Sequence, residues 1–269
     1  MASSAEDCPF CGPAEAAPFR PPQACASGPA RPLLRCGACG TVFPRPRLSP
    51  DLSAGVLDAL DKRERPLDPA VSASDPLCRL IARRVDKRGP ALDVGSATGG
   101  FCAALDALGF EAHGVEPQAS ARAQAVRRGT RPYPGRFPAL PPELARRRFA
   151  LVSILEALYY FPDLSGALKA AHSLLEPGGF LLIKAHHAES PVYADYQRSL
   201  FKRFGDHVQG IPTAGSLRFC LTAAGFEVVH LAGLAPADGL LGRLRAKLNP
   251  WTEPSRADRL VTLARRVGP

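Results

Sequence analysis

The chain has 269 residues, a net charge of +9 and 46% hydrophobic residues. That length allows one large domain plus a small one, and that hydrophobic content is ordinary for a folded soluble protein. No apolar run reaches the roughly 18 residues that a membrane-spanning helix needs. The opening residues Met1 to Asp7 lack the basic start and apolar core of a secretory signal, so a cytoplasmic location is the default expectation. Most of the positive charge is arginine spread along the chain. The tight clusters Arg146-Arg147-Arg148 and Arg265-Arg266 are not interleaved with the aromatic residues of a base-stacking surface.

Residues 1–48 carry two matched knuckles, Cys8-Pro9-Phe10-Cys11-Gly12 and Cys36-Gly37-Ala38-Cys39-Gly40. Two residues between cysteines let both thiolates face one ion, and the following glycine lets backbone N–H groups turn toward the sulfurs. Cys8, Cys11, Cys36 and Cys39 therefore compose a tetrahedral four-cysteine site for structural zinc. An iron–sulfur centre and vestigial ligands are the alternatives, and disulfides do not suit a reducing compartment. Cys25 falls in the intervening Pro/Ala-rich loop, outside the ligand set. A module this small does not fold on burial alone, so the metal supplies its stability. Pro44, Pro46 and Pro50 mark its exit.

Residues 49–88 read as a helical linker or cap, with helices over 51–63 and 75–88; Pro76 suits a first helical turn. Residues 89–269 then alternate strand and helix. A strand over 91–94 breaks into Gly95-Ser96-Ala97-Thr98-Gly99-Gly100 and a helix over 100–108. Strand, small-residue turn and helix build a nucleotide pocket at the carboxyl edge of an open sheet. The turn lacks the Gly-Lys-Ser/Thr ending of a phosphate loop. Asp93, two residues before the first glycine, suits a ligand that carries positive charge near its sugar. A second strand over 111–115 ends in Glu116-Pro117, about where a ribose-binding acid is expected. A helix over 118–128 follows, and residues 130–135 leave little room for a third strand. Further strands are expected over 149–155, 180–186, 226–231 and 259–265, with helices over 164–175, 193–203 and 215–224. The segment 238–248 is amphipathic and reads as a lid or core-facing helix. Cys78, Cys102 and Cys220 read as core residues.

These motifs resemble the class I S-adenosylmethionine-dependent methyltransferases. The resemblance rests on Leu92-Asp93-Val94-Gly95-Ser96-Ala97-Thr98-Gly99, Val115-Glu116-Pro117, residues 149–158, and Leu174-Leu175-Glu176-Pro177-Gly178-Gly179-Phe180, in the family's order and spacing. It covers roughly residues 88–232. It implies a doubly wound, Rossmann-like α/β sheet of seven strands behind the small N-terminal zinc ribbon. It also implies S-adenosylmethionine as cofactor, with Asp93, Gly95, Ser96, Ala97, Gly99, Phe101, Glu116, Pro117, Leu155 and Glu156 lining its pocket. Two positions depart from the pattern. The middle glycine of the first motif is Ala97, and the acid and histidine that often flank the fourth strand are Ala150 and Ala157. The stretch from Leu34 to Pro46 is similar to the N-terminal ribbon of many small-molecule and sugar methyltransferases.

Methyl transfer is a displacement that needs donor and acceptor held in line. An acceptor is expected over the carboxyl ends of the fourth and fifth strands, near Glu156, Tyr159, Tyr160, Lys184, His186 and His187. His186 or His187 is the expected general base, because histidine titrates near neutral pH, against the reading of a satisfied polar rim. Tyr159 shapes the pocket beside them. The expected function is methylation of an O or C atom of a small molecule. The competing readings are an RNA methyltransferase and a non-catalytic binding module that keeps the fold.

Overall fold

The structure is a computed structural model, and it describes residues 7–23, 31–47, 71–72, 74–190, 208–235 and 248–268. Three strands come first: β1 (Ala16–Gln23), β2 (Arg31–Cys36) and β3 (Val42–Pro44). They form a small antiparallel sheet. Helix α1 (Pro76–Arg84) follows, capped by the Asp75 carboxylate on the Leu77 N–H. The alternating part runs β4 (Pro90–Val94), α2 (Gly100–Ala107), β5 (Glu111–Glu116), α3 (Ala119–Arg127), β6 (Pro132–Pro134), α4 (Pro142–Ala145) and β7 (Phe149–Leu155). After a 3-10 turn at Leu158–Tyr160 come α5 (Leu164–Leu174), β8 (Leu175–His186) and α6 (Ala214–Ala223). β9 (Phe226–Leu234), β10 (Trp251–Thr252) and β11 (Arg259–Arg266) complete the described chain.

The central sheet has the order β10-β9-β11-β8-β7-β4-β5-β6. Strands β6, β5, β4, β7 and β8 are parallel, and β11 runs antiparallel between β8 and β9. Strands covered on both faces read as near-continuous apolar runs, and β7 (Phe-Ala-Leu-Val-Ser-Ile-Leu) is one, buried from Phe149 to Ile154. Alternate residues feed opposite faces. Leu92, Val94, Val152 and Ile154 join one apolar cluster with α5 and the N-terminal module. Ala91, Leu151 and Leu182 join the other with α1 and α2. The strand order reverses at β4, which lies between β5 and β7. In open sheets that reversal leaves a crevice above the carboxyl ends.

Three expectations need correction. The sheet has eight strands rather than seven, because the two-residue β10 adds an edge beside β9. A third parallel strand does form, at Pro132–Pro134. It is an edge strand, where a missing proline N–H costs no ladder bond. β8 begins at Leu175 rather than 180, with the Pro177-Gly178-Gly179 turn absorbed as an irregularity in its pairing with β7. The expected helices over 51–63 and 193–203, nearly all of 238–248, and Cys25 lie outside the described residues.

The N-terminal module packs on the sheet domain. Phe10, Leu34 and Phe43 are buried in one cluster with Leu164, Leu217 and Leu221. The Leu164 N–H donates to the Pro9 carbonyl at 2.8 Å, and the Arg47 guanidinium donates to the Pro162 carbonyl at 2.6 Å.

Candidate active site and four-cysteine centre

The head of β4 meets the head of β5 at the reversal point. The Gly95 and Ser96 N–H groups both donate to the Val115 carbonyl, at 2.9 and 3.2 Å. Glu116, the last residue of β5, is buried, and its carboxylate accepts from the Ala97 N–H at 3.0 Å and the Gln118 N–H at 2.9 Å. One acid thus ties the glycine turn to the start of α3. Arg122 donates to the Glu116 and Pro117 carbonyls and closes the turn from below.

The turn itself is left-handed at three points: Gly95 at φ +74°, Ala97 at +46° and Gly99 at +78°. Gly99 has no alternative, because a Cβ there would lie 2.5 Å from the Thr130 hydroxyl. Ala97 adopts the glycine conformation with a side chain, which costs roughly 1–2 kcal/mol. The Ser96 hydroxyl is buried with no hydrogen-bond partner among the described residues. Phe101 is buried in the first turn of α2.

Asp93 lies deeper than its motif position suggests. It is 3% exposed, and its carboxylate accepts from the Ser153 hydroxyl of β7 at 2.6 Å. Cys102 stands 3.9 Å away on α2, so this core cysteine backs the motif acid. Burial pushes the Asp93 carboxyl up to about 7; the Glu116 charge adds to this, and the Ser153 hydroxyl opposes it.

A second group forms at the carboxyl ends of β7 and β8. Glu156 follows β7 with φ +55°, a left-handed residue that is not glycine. Its carboxylate receives Arg259 at 2.8 Å and Lys184 at 3.4 Å; His186 Nε2 lies 3.4 Å away, and the Tyr159 hydroxyl donates at 3.4 Å. Arg259 also pairs with Asp258 at 2.7 Å. The register explains the grouping: Arg259 lies opposite His186, and Leu155 opposite Lys184. Burial, followed by the Arg259 and Lys184 charges, pushes the His186 imidazole down to about 2. It therefore stays neutral through the physiological range.

His187, the first residue beyond β8, is held elsewhere. Its Nδ1 lies 3.0 Å from the Pro254 carbonyl, and its backbone N–H donates to the Asp258 carbonyl. Burial lowers its pKa as well. The structure thus brings Glu156, Tyr159 and His186 together and places His187 apart. Leu155 and Pro117 are half-buried at the two strand heads. A Cβ on Gly95 would stand 3.1 Å from the Ala157 methyl, so the alanine after Glu156 is small where the two heads converge. Sequence reasoning missed Arg259. Only strand pairing carries it from the end of the chain to Glu156.

The four knuckle cysteines converge. Their sulfurs all lie within 4.8 Å of one another, with Cys8 to Cys39 at 3.6 Å and Cys11 to Cys36 at 3.5 Å. Sulfurs about 2.3 Å from one tetrahedral ion stand a little under 4 Å apart, so the donor set fits zinc. Burial and the neighbouring sulfurs push the Cys11 thiol up to about 12; thiolates crowded this closely need a cation. Cys220 of α6 is buried beside them, and its Sγ lies 3.7 Å from the Phe10 carbonyl of the first knuckle.

The reversal of strand order at β4, with the glycine turn and the buried Glu116 at the strand heads, defines a doubly wound α/β fold. A methyltransferase-domain family model matches residues 70–231, more than half of the chain. The chain belongs to this family of S-adenosylmethionine-dependent methyltransferases. No curated protein matches it at a significant level. Solved structures share the fold. An S-adenosylmethionine-dependent methyltransferase from Mesorhizobium loti is 21% identical, over 72% of this chain and 98% of that one, with a TM-score of 0.55. Another from Clostridium acetobutylicum is 14% identical, over 81% and 99%, also at 0.55. The CcbJ methyltransferase of Streptomyces caelestis is 18% identical, over 79% and 96%, at 0.53.

The residues at the two strand heads fit the cofactor of that class: a carboxylate held beside the glycine turn at Glu116, and a Ser96 hydroxyl with no hydrogen-bond partner among the described residues.

Proposed function

We propose that this enzyme methylates an O or C atom of a small-molecule acceptor, with the nucleoside of S-adenosylmethionine held at the β4–β5 switch point. The observation that carries this reading is Glu116, whose carboxylate is fixed beside the glycine turn by the Ala97 N–H. When bound, the cofactor supplies a methyl group activated by a sulfonium.

The residues divide by place. Glu116 accepts from the ribose hydroxyls, and Gly95, Ser96, Ala97 and Gly99 shape the loop against which the nucleoside rests. Pro117 and Phe101 border it, and Leu155 faces it from β7. Asp93 holds negative charge behind the loop, where a cation in front favours its ionised form. Glu156 stands at the acceptor side, fixed by Arg259 and Lys184. Tyr159 and His186 form the adjoining wall. A neutral His186 accepts a hydrogen bond and orients the acceptor rather than titrating. His187, anchored on the Pro254 carbonyl, supports the wall from behind. The rate then comes chiefly from positioning. In the small N-terminal domain, over residues 1–48, Cys8, Cys11, Cys36 and Cys39 hold structural zinc. Residues 49–88 serve as a linker, with helix α1 in its described part, and 89–269 form the methyltransferase domain.

Charge placement favours a small acceptor over RNA. Arg147 is paired with Glu111, Arg131 with Asp106, Arg265 with Glu227 and Arg35 with Glu189. These arginines sit in local pairs instead of a continuous stripe. Release of S-adenosylhomocysteine, followed with total RNA and with pooled small metabolites across a salt series, tests this. Turnover on small metabolites with little salt dependence supports it. Turnover only on RNA, falling steeply with salt, contradicts it.

A further inference from the structure

The four-cysteine module is not a free-standing appendage. Cys36 ends β2 and Cys39 lies in the turn to β3, closed by the Cys36 N–H to the Thr41 carbonyl at 2.9 Å and the Gly40 N–H to the Cys36 carbonyl at 2.9 Å. The next residue, Val42, exchanges two backbone bonds with Ile211 in the sheet domain, at 3.1 and 2.7 Å. Ile211 belongs to the extended segment 208–213, buried at every residue.

The same segment holds the acceptor wall. The Gln209 N–H donates to the Tyr159 carbonyl at 2.7 Å, and the Ala188 N–H donates to the Pro212 carbonyl at 2.9 Å. Leu33 and Val42 of the small sheet share one buried cluster with Tyr159, Ala188, Val208 and Ile211. Gly210 is pressed on the first knuckle: a Cβ there would lie 2.7 Å from Pro9 Cγ and 3.3 Å from Thr41 Cγ2. The first knuckle reaches two further elements, with Pro9 at the start of α5 and the Phe10 carbonyl against Cys220 of α6. The glycine turn is tied instead to β5 and α3, through Val115, Glu116 and Gln118.

We infer that metal at the four-cysteine centre clamps the acceptor wall: it fixes the β2–β3 turn, which fixes residues 208–213, which fix Tyr159 and Ala188, while the nucleoside site stands without it. This rests on the zinc reading of the four cysteines. Such a centre sets the geometry of one substrate site and spares the other.

The test uses the full chain and no acceptor. Metal content is measured as purified and after stripping with a zinc chelator, and amide hydrogen exchange is followed in both states. Stripping speeds exchange at Val42, Ala188, Gln209 and Ile211 by at least about tenfold, as expected for a local opening. The Ala97 and Gln118 amides and the calorimetric affinity for S-adenosylhomocysteine stay within about threefold. Gly210→Val, which drives a side chain onto Pro9, produces the same loss of protection with zinc retained. Equal exchange in the loaded and stripped chain, with zinc present at one per chain beforehand, overturns the clamp and leaves the zinc reading intact. Loss of S-adenosylhomocysteine binding on stripping also overturns it, since the metal would then support the whole fold. A chain isolated without metal overturns the zinc reading and the clamp together.

Discussion

Asp93 offers the sharpest test of how the proposed nucleoside site is built. Its carboxyl is buried beneath the glycine turn and held at about 7 instead of 3.8, mainly by desolvation. Between those values the folded chain keeps a proton that the unfolded chain releases. The group's contribution to stability is therefore complete below pH 4 and is lost as pH rises to 7. At about 1.36 kcal/mol per tenfold change in proton affinity, the cost of ionising it in the folded chain is at most roughly 4 kcal/mol. Asp93→Asn removes that cost while its amide oxygen still accepts from Ser153. At pH 8 and without cofactor, the variant should melt above the wild type, by about 2–4 °C for each kcal/mol realised. Below pH 4 the advantage should vanish. Binding should move the other way: S-adenosylmethionine affinity should fall by about tenfold or more as the negative charge behind the loop is lost. Scanning fluorimetry from pH 4 to 8 and titration calorimetry measure both. An Asn variant no more stable than wild type at pH 8, with an unchanged slope against pH, would refute the buried-carboxylate argument.

Other variants probe neighbouring parts. Ala97→Gly relieves a left-handed alanine but frees the unfolded chain, for a net gain of about 1 kcal/mol at most; thermal melts should show a small rise and calorimetry equal or tighter cofactor binding, and a clear loss of stability would contradict the strain. Glu116→Gln puts an amide where one backbone N–H needs an acceptor, so S-adenosylhomocysteine affinity should drop by at least about tenfold, with roughly 1.5–3 kcal/mol at stake for a charged hydrogen bond; an unchanged Kd counts against the ribose role. His186 ring signals, assigned by comparison with His186→Asn, should hold the neutral shift from pH 5 to 8, and Arg259→Met should raise the midpoint by removing a nearby cation. A wild-type midpoint near 6.5 would restore a titrating base at that position.

Local signals in the chain carried most of the parallel core. Strands β4, β5 and β7 and the helices after them follow from apolar runs broken by glycine turns, and their observed limits differ from expectation by a residue or so. The places of Asp93 near the end of β4 and Glu116 at the end of β5 were legible because both follow from that pattern. What the chain concealed depends on pairing between distant segments. Whether Asp93 faces the crevice or the core is decided by Ser153 on the neighbouring strand. Arg259 and Glu156 meet only because β11 inserts beside β8. His186 is the last residue of β8 and His187 the first beyond it, and which of them meets Glu156 is decided by β11 and the turn at Pro254. Cys220 gave no sign of its neighbours, since its contact with the Phe10 carbonyl depends on how α6 docks against the first knuckle.

The central claim is that one nucleoside rests on the Gly95–Gly99 turn with its ribose on Glu116. A crystal structure of the chain grown with S-adenosylhomocysteine tests it directly. Both ribose hydroxyls should lie within about 3.2 Å of the Glu116 carboxylate, with the sulfur turned toward the heads of β4 and β7. Density for the nucleoside elsewhere on the chain, or a fully open crevice at saturating ligand, would contradict it.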